Sequence, residues 1–434
     1  MAFVRKNNSI KLSLSTCAVV LRSTSAAFAQ STWTITKQAW SQNDERNFSE
    51  FVQKIGESRC NTVDSCMKSP GNPYRATDPA GVEFKADCGR FPYLMRAYFA
   101  WKNGLPFSVA SKLQAVEGLG TDLRYSPKGT FVSGRKDIVQ KDARKPLNGI
   151  AQLQSLLVPV YSGSFRFNAE YTYSDPGLFF DLYPVAISRT TIRPGTVIYD
   201  ANGHVAVVYK VEDDGRIRFF DSHPDNTVTR STYGEKFARS SENAGAGFKN
   251  FKPLALVGAQ RDGSGALIGG RVLAQNNQQL PGFSMEQTFG TQPGNRDWKK
   301  SLFTIGGKAI PYYDFVRTKL AVGDLKYRPV EEMLNGMDTL CNDIKDRLSS
   351  VEQATNNFIH DKPHPERLPE NIFGSTGEWE NYSSPSRDAR LKTSFLEIRK
   401  QVQRFIELYD QRDDRVVYTG SNLRADLRDA YERF

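Results

Sequence analysis

Residues 73–107, PYRATDPAGVEFKADCGRFPYLMRAYFAWKNGLPF, hold one cysteine, Cys88, between an acid and a glycine. A helical pattern follows it. Asp87 is a natural N-cap, which puts Cys88 at the start of that helix. The positive end of a helix dipole favours a thiolate, the nucleophilic form of cysteine. The bland alternative is a small buried side chain, the commonest role of a lone cysteine. A nucleophilic cysteine needs a base, and imidazole titrates in the right range. The chain has four histidines. His204 opens a strand directly after Asn202-Gly203, where its ring can face a cleft. On the next strand, Asp221 and His223 share the inward face with Ile217 and Phe219 by the two-residue alternation. If EDDG is a four-residue turn, His204 pairs with His223 and lies diagonal to Asp221. A three-residue turn puts Ser222 on that face instead. Cys88 as nucleophile, His204 as base and Asp221 or His223 as the group that orients the imidazole make a triad for acyl chemistry.

Several elements must position these groups. Ser41 and Asp44 have capping-box spacing, and Phe48, Phe51, Val52 and Ile55 fall on one face of a helix over 41–55. Phe91, Leu94, Met95, Tyr98 and Phe99 give a second helix over 88–103, ended by Asn103-Gly104 and Pro106. TVIYD, HVAVVYKV and RIRFFDSH read as three strands joined by ANG and EDDG turns. Residues 108–195 are mixed, with an apolar run LQSLLVPVY and an aromatic patch FRFNAEYTY. Gly, Gln and Asn enrich residues 262–296, the composition of a loop or linker. Two long apolar stripes follow at helical spacing, one from Val330 through Leu340, Cys341 and Leu348 to Val351, the other from Leu391 through Phe395 and Phe405 to Tyr409.

The chain of 434 residues carries 58 basic and 48 acidic side chains, a formal net charge of +10. The basic residues are dispersed, which fits a solvated basic surface or an anionic polymer partner. No phosphate-binding glycine loop and no interleaving of aromatic and basic residues points to nucleic acid. Residues 1–29 have a basic start, a short apolar stretch and an Ala27-Phe28-Ala29 cleavage pattern, which predicts a signal peptide and export to the periplasm or beyond. No later stretch is apolar for long enough to span a membrane. In an oxidising compartment Cys60 and Cys66 are candidates for a disulfide, with a pair of free thiols as the alternative. Cys341 is expected in a core. His360 and His364 have metal-ligand spacing, but Pro363 and Pro365 deny them a regular helix, and no metal or other cofactor is expected.

PYRATDPAGVEFKADCGRF resembles the nucleophile region of the NlpC-like cell-wall cysteine peptidases, within the papain-like superfamily. RPGTVIYDANGHVAVVY resembles that family's Pro-Gly turn, apolar strand and Gly-His-Val. FFDS resembles the site of its third polar residue. The resemblance covers about 74–104 and 193–224 and describes a divergent member with a long insertion. Arg90 after Cys-Gly, and Asp rather than His as third residue, depart from the pattern. The resemblance implies catalytic Cys88, His204 and Asp221, with His223 as the second choice of orienting group. It places Tyr74 beside the oxyanion or substrate, with Asp87 next to it. The implied reaction is cleavage of an amide in a peptidoglycan stem peptide.

The expected fold class is α+β: a papain-like domain, its nucleophile helix packed on an antiparallel sheet, followed by a mainly α-helical C-terminal region. The expected domains are a signal peptide at 1–29, the hydrolase domain at 30–262 with an insertion at about 108–192, a linker or loop at 263–300, and a helical domain at 301–434. Self-association through those helices is one expected kind of partner, a peptidoglycan or peptide substrate the other. Two alternatives stay open: a transglutaminase-like acyl transferase or protease, and an inactive papain-like protein that binds in the envelope.

Overall fold

The computed structural model describes residues 31–118, 122–200, 203–235, 237, 245–363, 377–382 and 385–432. The expected signal peptide, His364 and the Ala201-Asn202 part of the ANG turn lie outside these residues. The chain is α+β. Its centre is a six-stranded antiparallel sheet in the order β3-β8-β4-β5-β6-β7. These strands are β3 (Leu182–Pro184), β4 (Val197–Tyr199), β5 (Val205–Val211), β6 (Ile217–Ser222), β7 (Val228–Thr232) and β8 (Gly247–Phe251). Before them in the chain come α1 (Gln42–Glu57), α2 (Val63–Met67), α3 (Arg90–Lys102), a long hairpin of β1 (Phe107–Ala115) with β2 (Thr130–Ile138), and α4 (Gly149–Leu157).

Strand alternation divides the sheet into two faces. Val205, Val207, Tyr209 and Phe220 belong to the larger core, with Phe51 of α1 and Phe91, Leu94 and Tyr98 of α3. Ile198, Ala206, Val208 and Phe219 belong to a second core on the other face. Helix α1 starts at the expected capping box, with Ser41 Oγ accepting from Asp44 N–H. A buried ion pair joins α1 to α3, Arg96 Nη2 lying 2.5 Å from Glu45 Oε1. The same guanidinium sits 3.4 Å above the Trp40 ring. Chain from the insertion packs around α3: Asp181 accepts from Tyr93 Oη at 2.8 Å and from Ala110 N–H at 3.0 Å, and pairs with Arg135.

Residues 263–300 are loop interrupted by short elements packed on the rest of the chain. After β9 (Leu254–Val257) and β10 (Gln260–Arg261) come β11 (Leu267–Ile268) and β12 (Arg271–Ala274), and β12 pairs with β9. Val272 and Leu280 are buried, and Gln287 of α5 (Glu286–Phe289) donates to the Val185 and Phe248 carbonyls. The segment is Gly-rich because short strand pairs turn at residues with positive φ, here Gly265, Gly269 and Gly270.

The boundary at 301 also moves. The hairpin β13 (Phe303–Ile305) and β14 (Lys308–Ile310) and helix α6 (Tyr312–Leu320) pack on the second sheet face through Phe315, Val316 and Leu320. The helical unit proper is α7 (Pro329–Asn356), α8 (Pro385–Asp410) and α9 (Leu423–Glu432), with its own core of Met333, Met337, Leu423, Leu427 and Ala430. Its stripes are only partly a seam. Leu334, Leu348, Val351, Phe395 and Tyr409 are exposed and Cys341 is half-buried, whereas Leu340 and Phe405 are buried. Among the described residues, no helix is long and apolar enough to cross a membrane.

Candidate functional site

Helix α3 starts where its sequence demands. Asp87 Oδ1 accepts from Arg90 N–H at 2.9 Å, and the Asp87 carbonyl accepts from Phe91 N–H at 2.9 Å. Cys88 therefore lies just before α3, at its N-terminal end. Gly89 is needed there because a Cβ would come within 2.7 Å of the Tyr161–Ser162 backbone, which the insertion lays across the helix start. The backbone N–H of Val205, the residue after His204, lies near enough to Cys88 to lower its thiol somewhat. The turn leading to His204 is closed by Gly203 N–H on the Asp200 carbonyl at 2.8 Å, and Gly203 has φ +86°. A side chain at 203 would be strained there.

The hairpin settles which acid faces His204. The loop between β5 and β6 pairs Val211 with Ile217, one residue out of step with a four-residue EDDG turn. A bulge at Tyr209 then restores the step, so Val208 lies opposite Phe219 and Val207 opposite Phe220. Continuing that register sets His204 opposite His223 and diagonal to Asp221, as the four-residue reading expects. Ser222 takes the other face.

His204 Nε2 bonds Asp221 Oδ2. Thr229 of β7, paired with Asp221 across the strands, donates its Oγ–H to Asp221 Oδ1 at 2.5 Å. With that proton so placed, Thr229 Oγ1 accepts from His223 Nε2–H at 3.1 Å. The result is a chain of bonds from His223 through Thr229 to Asp221, which also receives His204. A carboxylate only accepts, so His204 carries its proton on Nε2 and presents Nδ1 as an acceptor. His204, Asp221 and His223 are each about 5% exposed or less.

The electrostatics differ from the thiolate expectation. Burial pushes the Cys88 thiol up to about 12, and the Asp87 charge adds to the rise. The Arg390 charge and the Val205 N–H oppose it without overcoming it. Burial, followed by the Arg390 charge, lowers His204. Burial, followed by the Arg387 charge, lowers His223 to about 3. Burial alone would raise Asp221, but the His204 bond and the two imidazoles outweigh it and hold the carboxyl well below its usual range. The resting site is a neutral thiol and a neutral imidazole beside an ionised carboxylate.

His204, Asp221 and His223 thus gather at one end of the sheet, while the half-buried Cys88 packs with the α3 face of the same sheet; no hydrogen bond joins Cys88 to His204 among the described residues. Two other candidates are corrected. Tyr74 Oη bonds Asn103 at the far end of α3, about 20 Å from the helix start by helix rise, and its ring packs on Phe51 and Phe99. It cannot lie beside an oxyanion formed at Cys88. Asp87 is a cap rather than a substrate group, since Arg90 engages both its oxygens, one through N–H and the other through the guanidinium at 2.7 Å. Cys60 and Cys66 are joined by a disulfide. Thr229, Arg387 and Arg390 have no sequence signal that singles them out; a threonine in a short strand and arginines on a long helix are ordinary surface residues. Among the described residues, no group of three or more His, Cys, Asp or Glu side chains is placed to hold a metal. No family model, curated protein or solved structure matches the chain.

Proposed function

We propose that the chain is an exported cysteine hydrolase of papain-like type that cleaves amide bonds, with peptidoglycan stem peptides as the substrate class. The observation that supports this reading is the buried His204–Asp221 bond, with Val205, the next residue, acting on the Cys88 thiol. The Cys60–Cys66 disulfide supports an oxidising compartment. The net charge of +10 suits an anionic wall. The stem peptide as substrate rests on the resemblance of the two motif blocks.

In this reading His204 Nδ1 takes the thiol proton as Cys88 Sγ attacks the amide carbonyl. Asp221 stabilises the imidazolium that forms. Backbone N–H groups at the start of α3 hold the oxyanion. The imidazolium then gives its proton to the leaving amine, leaving a thioester on Cys88. Water, deprotonated by His204, hydrolyses the thioester and returns the thiol.

A second reading, a papain-like scaffold that binds without catalysis, is favoured by the Cys88 thiol at about 12. Stem peptides incubated with the protein separate the two by mass spectrometry. The hydrolase reading expects cleaved amide and an acyl-Cys88 adduct, both lost in Cys88→Ser and His204→Ala. Asp221→Asn should lower the rate by about 100-fold or more. Cleavage that survives His204→Ala, or no cleavage and no adduct with a freely reactive Cys88, refutes it. A new amide formed with an added amine would instead favour transglutaminase-like transfer.

A further inference from the structure

A pocket of about 350 Å³ lies between residues 169–180 of the insertion and residues 274–279, with buried Lys252 in its wall. Its volume is in the range of small-molecule sites. The strand registers set it apart from the histidines. His204 precedes Val205, which pairs with Tyr199, which pairs with Gly247 at the start of β8. Lys252 follows Phe251, the last residue of β8, and Phe180 stands just before β3. The pocket therefore sits at the end of the sheet opposite His204, Asp221 and His223, and shares no residue with them.

Both walls are braced. The Tyr171 ring stacks on Phe131 at 4.7 Å, and Tyr173 Oη accepts from Val132 N–H at 2.8 Å. Asn277 Nδ2 donates to the Ala169 carbonyl at 2.9 Å and so ties one wall to the other. Walls fixed in this way need little ordering when a ligand binds. The first wall supplies aromatic rings, and the second supplies four consecutive amide side chains at 276–279. Asn277 is buried, and its Oδ1 has no hydrogen-bond partner among the described residues. Buried acceptors are normally satisfied, so this one calls for a donor.

The charged groups of the lining are engaged. Lys252 Nζ donates to the Gln275 carbonyl at 3.0 Å, and Glu170 pairs with Arg296. Burial, followed by the Arg135 charge, holds the Lys252 amine down to about 8. An anionic ligand would have to displace one of these pairings. A neutral, hydroxyl-rich ring displaces neither. Its C–H face meets the negative face of an aromatic ring, and its hydroxyls donate and accept as amides do. We propose that this pocket binds a neutral oligosaccharide, at a site separate from the hydrolase site and independent of that reading.

The test is isothermal titration calorimetry of the full chain with chitotetraose, cellotetraose and mannotetraose. At least one should bind with a Kd of about 1 mM or tighter. Gln278→Ala, at an exposed residue, and Tyr171→Ala should each weaken that binding by about tenfold or more, whereas Tyr171→Phe should stay within about threefold of the parent. His204→Ala should bind as the parent does. Far-UV circular dichroism checks each fold, and if Tyr171→Ala misfolds, Gln278→Ala decides. No binding of any probe, or parent-like binding in the folded pocket variants, overturns the proposal. So does binding that is lost in His204→Ala, because the sugar would then lie at the other end of the sheet. A stem peptide whose binding Gln278→Ala weakens, with no sugar bound, also overturns it. Stem-peptide cleavage reports on the hydrolase reading alone: its absence leaves sugar binding standing, and its presence without sugar binding leaves the hydrolase.

Discussion

The two neutral imidazoles make the fold acid-sensitive by an amount that can be worked out. An unfolded histidine titrates near 6.5, whereas His223 is lowered to about 3 by burial and the Arg387 charge. As pH falls through 6.5 the unfolded chain binds a proton that the folded chain refuses. The stability is therefore fully present above about 6.5 and is lost progressively as the pH falls toward 3. Integrated from pH 7 to pH 5, one such histidine costs about 2 kcal/mol. His204 is also lowered and contributes with the same sign. Asp221 is lowered too, but its effect begins only as pH approaches the unfolded carboxyl range near 4, below this window. His223→Gln keeps a donor near Thr229 and removes the titration. Urea midpoints at pH 7, 6 and 5 should show the parent losing about 2 kcal/mol more than the variant between pH 7 and 5. A difference under about 0.5 kcal/mol would refute the burial argument, whatever the variant does to absolute stability.

Arg96→Met should destabilise by about 3–5 kcal/mol in urea unfolding, because it leaves Glu45 buried with only Arg193 at 3.3 Å; the further change Glu45→Met should recover part of the loss. Gly89→Ala brings a Cβ to 2.7 Å from the Tyr161–Ser162 backbone, so a loss of about 1–3 kcal/mol is expected. A gain in melting temperature would mean that the insertion does not cross the helix start. Tyr74→Phe should cost about 1 kcal/mol for its bond to Asn103 and leave any amide hydrolysis unchanged. A hundredfold fall in kcat would return Tyr74 to the site.

What could be read from the sequence was local. The Ser41–Asp44 box and the apolar face behind it specify α1, and Asp87 specifies the start of α3, because caps and helix faces are set within a few residues. The β5–β6 hairpin was legible as a pair of strands, but its register hung on a loop length that a bulge at Tyr209 alters, and bulges carry no short-range signature. Tyr74 illustrates the other limit. Its partner Asn103 is 29 residues away, at the opposite end of a helix from Cys88. Residues 263–300 have the composition of a loop because short paired strands and loops use the same glycines. Arg387 and Arg390 were invisible because an arginine on a helix is ordinarily solvated; only the packing of α8 over β6 and β7 turns them inward.

The bulge at Tyr209 also constrains how this hairpin can change over generations. Between His204 and Asp221 the chain makes one excursion and returns, and the imidazole meets the carboxylate only if the number of residues in that excursion has the right parity. The out-of-step turn and the bulge are two errors of count that cancel. Losing either alone would turn Ser222 toward His204 and Asp221 away. Among related chains, insertions and deletions between these residues should therefore come in even numbers, or come paired with the gain or loss of the bulge.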